Sequence, residues 1–124
     1  MAEDGSYKNL IVWQKSIVLV KQIYLLTQKF PSDEKFGLVS QMRRAVVSIT
    51  SNIAEGQARR TTGDYIRFVS TAEGSLAELE TQLIISIELN FCSKDEVKNC
   101  FDLMTEIRKM LNALRRSLMN KMNV

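Results

Sequence analysis

The side chains with the most chemical capacity in this chain are two cysteines, a set of glutamates and several arginine pairs; histidine is absent. Without an imidazole there is no Ser-His or Cys-His nucleophile pair. A His-containing zinc site is excluded, and so is the Glu-x-x-His di-iron site that some helix bundles carry. Cys92 and Cys100 have no Cys or His companions, so they fall short of a zinc ligand set. Glu73 and Glu80 stand seven residues apart on one helical face, with Glu78 and Glu88 further round or along. Paired carboxylates can serve acid–base or metal chemistry. With no histidine and no second acidic helix to oppose them, their expected role is pairing with Arg or Lys of neighbouring helices. No cofactor and no metal are expected, and the chain reads as a non-enzyme.

The cations are the second candidate. Lys plus Arg number 17 against 14 Asp plus Glu, a net charge of +3 that permits a polyanionic partner without requiring one. Arg59 and Arg60 close a predicted helix, where the negative end of the macrodipole already favours them. Arg43 and Arg44 lie 16 residues earlier, ~160° round the helix, so one helix cannot turn all four toward one duplex. Lys98, Lys109 and Arg116 fall within ~20° of one line, diluted by Asp95 and Asp102; Lys98 and Asp102 have the spacing of an ordinary (i, i+4) pair. The candidate phosphate-binding set is Arg59, Arg60, Lys109, Arg115, Arg116 and Lys121. Residues 61–92 hold Arg67 alone among five carboxylates, so this acidic segment can absorb basic charge within the chain or between copies. Aromatic interleaving for base stacking is missing: Phe101 sits on a core stripe and Trp13 in an apolar helix.

These side chains must be positioned by helices. A chain of 124 residues makes one domain, and one proline with five glycines argues against many strands or long loops. Residues 1–8 read as a flexible N-terminal tail and 9–122 as a single domain. Helix one is expected from about Leu10 to Lys29, with Asn9 as N-cap and Pro31 as stop. Its apolar residues come in blocks of four, which sweep ~300° and leave it apolar nearly all round. Helix two is expected after Ser32-Asp33 to about Arg59, with the stripe Leu38, Met42, Ala45, Ile49, Ile53, Gly56 and with Val39, Val46 and Val47 as surplus. Helix three begins at Thr61 or Thr62, where Thr61 and Asp64 resemble a capping box, and runs to about Leu89. Helix four opens on the capping pair Ser93 and Glu96. Short connections make neighbours antiparallel, so the fold class is all-α: an antiparallel up-down-up-down four-helix bundle. The apolar surplus on helices one and two predicts self-association. Nothing resembles a signal segment or a membrane span, so the expected location is cytoplasmic, with Cys100 a buried free thiol.

The stretch from Ser48 to Arg60 concentrates Ser, Thr, Asn and Gly late in a helix, where propensity disfavours them. Small residues there allow close helix approach, and Asn52 and Ser48 can bond to neighbouring groups. Within it, Ser51, Asn52, Ile53, Ala54, Glu55, Gly56 and Arg59 resemble the signature of the four-helix-bundle proteins encoded in 23S ribosomal RNA intervening sequences. Asn9-Leu10, Trp13-Gln14-Lys15, Phe30-Pro31, Phe36-Gly37-Leu38, Gln41, Arg43, Arg44, Phe68 and the run Gly74 to Leu83 match the same family. The likeness is strong over residues 9–90 and rests on pattern in helix four; Glu73 departs from it, standing where a small or apolar residue is expected. The resemblance implies a four-helix bundle assembled as a homopentamer; it does not imply an enzyme, and it carries over no catalytic or binding residues. A distantly similar group, the accessory proteins of diversity-generating retroelements, forms pentameric barrels that bind nucleic acid and a reverse transcriptase. The expected function is therefore RNA or DNA association through the basic surface of a homo-oligomer. The alternative is a scaffold that binds another protein through the oligomer face or pore.

Overall fold

In the computed structural model, which describes residues 6–123, a 3-10 turn at Tyr7–Asn9 leads into α1 (Ile11–Thr27). A second 3-10 turn at Ser32–Glu34 precedes α2 (Leu38–Gln57), followed by α3 (Thr62–Glu88) and α4 (Lys94–Met122). No strand occurs among the described residues. Each helix packs on its chain neighbours and α4 closes against α1, leaving α1 opposite α3 and α2 opposite α4. Cross-helix bonds fix the register. Thr50 Oγ1 donates to Ser16 Oγ and Arg43 Nε donates to Thr27 Oγ1, so α1 and α2 run antiparallel. Arg108 and Arg115 meet Glu80 and Glu73, Lys15 and Lys29 meet Glu106 and Glu96, and Ser48 meets Ser75 while Gly56 faces Tyr65 and Phe68, so the other three pairs are antiparallel too. The topology is the expected up-down-up-down bundle.

The helix starts follow their caps. Thr61 accepts from the Asp64 N–H, and the Ser93–Glu96 capping box is complete in both directions. The N-cap of α1 is Leu10, not Asn9, and has no side-chain bond. Asn9 is instead the last residue of the first turn, which Gln14 Nε2 ties down by donating to the Lys8 carbonyl. Of the expected tail, residues 1–5 lie outside the described residues, while Ser6 to Lys8 fold: Ser6 caps the turn and the Tyr7 ring packs edge-on against Trp13. Helix two starts at Leu38 rather than after Asp33, because Gly37 leaves helical geometry (φ −106°, ψ −110°) and Glu34 Oε1 takes the Leu38 N–H. Between α3 and α4 the chain reverses through Asn90 at φ 61°, and the Phe91 N–H reaches back to the Ser86 carbonyl, a Schellman-type closure.

The core is one cluster drawn from all four helices, with Leu19, Ile23, Met42, Ile49, Ile53, Leu76, Leu79, Leu83, Met104, Ile107 and Leu111 fully buried. Each such side chain contributes ~1.5–3 kcal/mol of transfer free energy. Val39 and Val46, read from the sequence as surplus, belong to this core; of the three valines only Val47 stays exposed. The surplus of α1 is real: Ile11, Val18 and Leu25, at heptad spacing, remain 57%, 48% and 65% exposed.

Candidate nucleic-acid interface

Antiparallel packing brings the C-termini of α2 and α4 to the same end of the bundle as the N-termini of α1 and α3. The Met122 methyl lies 3.9 Å from where a Cβ on Gly63 would stand, and the first turn packs on α2 as well as α1. Lys8, Arg59, Arg60, Arg67, Arg115, Arg116 and Lys121 converge there from four parts of the sequence, against Glu55, Asp64 and Glu73. The opposite end mixes Lys29, Lys35, Arg43, Arg44, Lys94 and Lys98 with Asp33, Glu34, Glu88, Asp95, Glu96 and Asp102. Two helix dipoles point each way, so they largely offset and the polarity comes from side chains. The molecule thus carries a basic pole that local sequence windows do not display.

The individual cations divide by commitment. Arg60, Arg116, Lys121 and Lys8 are exposed and make no ion pair among the described residues. Arg59 is exposed, with its guanidinium 4.5 Å from the centroid of the Phe68 ring, which orients the charge without cancelling it. Arg67 pairs with Asp64 at 2.9 Å. Arg115 is turned inward: its Nε donates to Glu73 Oε1 at 2.8 Å and an Nη to Asn112 Oδ1 at 2.6 Å. It holds α4 to α3, and it gives the out-of-pattern Glu73 its role. Lys109 is exposed but stands 12 residues before Lys121, ~18 Å along α4 from the pole. Of the six candidates, then, the structure gathers Arg59, Arg60, Arg116 and Lys121, diverts Arg115 to a cross-helix pair and sets Lys109 apart. Lys8 and Arg67 join the pole although their sequence neighbourhoods gave no hint of it; only the antiparallel topology does.

The Ser48–Arg60 stretch does the structural work its composition suggests. Asn52 Nδ2 donates to the Ser48 carbonyl and to Ser48 Oγ, and Ser48 Oγ bonds Ser75 across the α2–α3 seam at 2.9 Å. A Cβ on Gly56 would stand 2.8 Å from Phe68 Cβ, so glycine is what lets α3 lie this close. Ile53 is in the core, while Ser51 and Glu55 face solvent and Ala54 is half-buried. Both cysteines are buried and unpaired. Burial, helped by the adjacent Cys92 thiol, pushes Cys100 up to about 11, which keeps it protonated and a poor nucleophile at neutral pH. Among the described residues no group of three metal-ligating side chains converges, and no helix is long and apolar enough to cross a membrane.

Known proteins agree with this architecture. The family described as 23S rRNA-intervening sequence protein matches residues 8–113. A crystal structure of a protein with unknown function, from the S23 ribosomal protein family of Bacteroides thetaiotaomicron, superposes with a TM-score of 0.78 at 24% identity. The match covers 85% of this chain and 98% of that one, and at this identity it speaks for the fold. None of the curated proteins compared matches the chain.

Proposed function

The chain belongs to the 23S rRNA-intervening sequence protein family, and from that premise we propose that it is a non-enzymatic protein that associates with nucleic acid, RNA in the first instance, through its basic pole. The observation that supports this reading is the convergence of unpaired Arg60, Arg116, Lys121 and Lys8, with Arg59 alongside, at one end of a bundle whose other end is mixed in charge. Such a surface meets phosphates without reading sequence. The chain acts as a homo-oligomer, with five subunits expected, so that several poles engage one polyanion; the exposed Ile11, Val18 and Leu25 stripe supports association between copies. Two buried, unpaired cysteines suit a reducing cytoplasm.

The test is binding of a fluorescein-labelled RNA hairpin, followed by anisotropy as salt is raised. Affinity falls steeply with salt, and Arg60→Glu with Arg116→Glu weakens binding at least about tenfold while lowering the salt slope by about two, one per lost phosphate contact. Helical content stays intact, since both side chains are exposed and unpaired. If the hairpin does not bind at low salt, the reading fails and the protein-binding scaffold takes its place.

A further inference from the structure

Along the outer side of the α1–α2 contact, toward the end away from the basic pole, runs a groove of about 610 Å³. That is the size of a small-molecule site. Its walls include Tyr24, Lys35, Phe36, Arg43, Arg44 and Val47, and no carboxylate lines it. Phe36 is 90% exposed, in the linker just before α2. A ring so placed contributes almost nothing to the core, and it neighbours the exposed Tyr24 and Val47 rather than standing alone. The Arg43 guanidinium lies 4.5 Å from the centroid of the Tyr24 ring, and its Nε and an Nη donate to Thr27 Oγ1 and the Tyr24 carbonyl. It is therefore a fixed planar cation. The Lys35 ammonium is 5.5 Å from the Phe36 ring, and Arg44, exposed, makes no ion pair among the described residues.

Two aromatic rings interleaved with three cations is the pairing absent from the linear sequence. It arises because α1, the linker and α2 each supply part of it. We infer that this groove binds unpaired nucleotides of a single strand, stacking a base on Phe36 and placing adjacent phosphates against Arg44 and Lys35. A duplex keeps its base faces covered and cannot use the rings, whereas every unpaired base offers a face whatever its sequence. The inference rests on the nucleic-acid reading above and adds to it a second site of different chemistry.

Anisotropy with a fluorescein-labelled oligouridylate, run beside a blunt-ended RNA duplex that has no unpaired nucleotide, tests it. Phe36→Ala weakens the oligouridylate by about tenfold, the loss of one stacked base, and leaves duplex affinity unchanged. Phe36→Trp retains affinity, and unlabelled oligouridylate quenches its indole emission beyond any change in the parent, whose Trp13 gives the background. An oligodeoxyuridylate arm, which differs only in the sugar, separates RNA from DNA: equal binding means the groove reads base and phosphate only, and preferential binding of the oligouridylate means it also senses the ribose. The inference is overturned if Phe36→Ala binds the single strand as the parent does. It is also overturned if polyglutamate competes as well as the oligouridylate, or if Phe36→Ala alters the oligomeric state in light scattering, which would make the groove a contact between copies. Hairpin binding that survives any of these results leaves the basic-pole proposal standing. Loss of duplex binding in the Arg60→Glu, Arg116→Glu protein with the Phe36 effect intact separates the two sites from the other side.

Discussion

Gly56 shows how one residue sets the distance between two helices that carry the basic pole. Its missing Cβ would stand 2.8 Å from Phe68 Cβ and 3.1 Å from Tyr65 Cδ1, and the first of these is too close for any ordinary contact. Alanine gains ~1 kcal/mol of helix propensity over glycine, but forcing packed helices apart costs ~1–3 kcal/mol. Gly56→Ala is therefore expected to lose up to about 2 kcal/mol in chemical denaturation. Gly74, also mid-helix, meets nothing within 4 Å, so Gly74→Ala is the matched control and gains up to ~1 kcal/mol. A gain at Gly56 as well would mean that the close approach is not required. The same displacement would move Phe68 from beneath the Arg59 guanidinium, coupling packing to the charged surface. That Gly56 permits a close approach is legible in the sequence; that the partner is Phe68 is not, because register depends on side chains from a helix that lies beyond a turn.

At the scale of elements, legibility tracks the caps. The starts of α3 and α4 are readable because Thr61 and Ser93 carry oxygens that take the N3 N–H, and the structure places both helices where the capping pairs say. The starts of α1 and α2 are not, since Leu10 and Gly37 cap without side-chain bonds and nearby polar residues make turns instead. The start of α4 is tied twice: Glu96 closes the capping box through Oε1 and grips Lys29, just past the end of α1, through Oε2. The Lys29 ammonium, and after it the Ser93 N–H, hold the Glu96 carboxyl below its ordinary value of 4.5. A carboxyl lowered in this way adds stability above the ordinary value, and that contribution is lost as pH falls through the lowered one. Lys29→Met is thus expected to lower the melting temperature slightly at neutral pH, the pair being exposed. The gap to the parent narrows as pH falls below 4.5 and closes below the lowered value. An undiminished gap in acid would show that Lys29 acts by packing and not by charge.

For the whole molecule, the decisive quantity is where ends meet. Segment by segment the chain alternates basic, acidic and basic, and only the antiparallel bundle sorts those charges into a basic pole and a mixed one. The sequence names Arg60, Arg116 and Lys121 but not Lys8 and Arg67, because their convergence is a tertiary fact, as is the half-buried pair of Arg115 with Glu73. The apolar excess follows the opposite course. In the sequence α1 looks buried on more than one side, yet in a single chain its inner face alone is covered and Ile11, Val18 and Leu25 stay in water along one line. Leaving three large aliphatic side chains exposed at heptad spacing forgoes a few kcal/mol of burial, at ~25 cal/mol per Å², that association of copies would recover. Charge argues the same way, since one pole with few free cations is a weak phosphate ligand and several poles on one particle gain by effective concentration. Light scattering is therefore expected to find the parent as a homo-oligomer, and Val18→Glu with Leu25→Glu as a folded monomer with undiminished helicity. That monomer should bind the RNA hairpin more weakly although every cation is retained. A parent that is already monomeric would remove the stripe from the argument. A monomeric variant with full hairpin affinity would show instead that a single pole suffices.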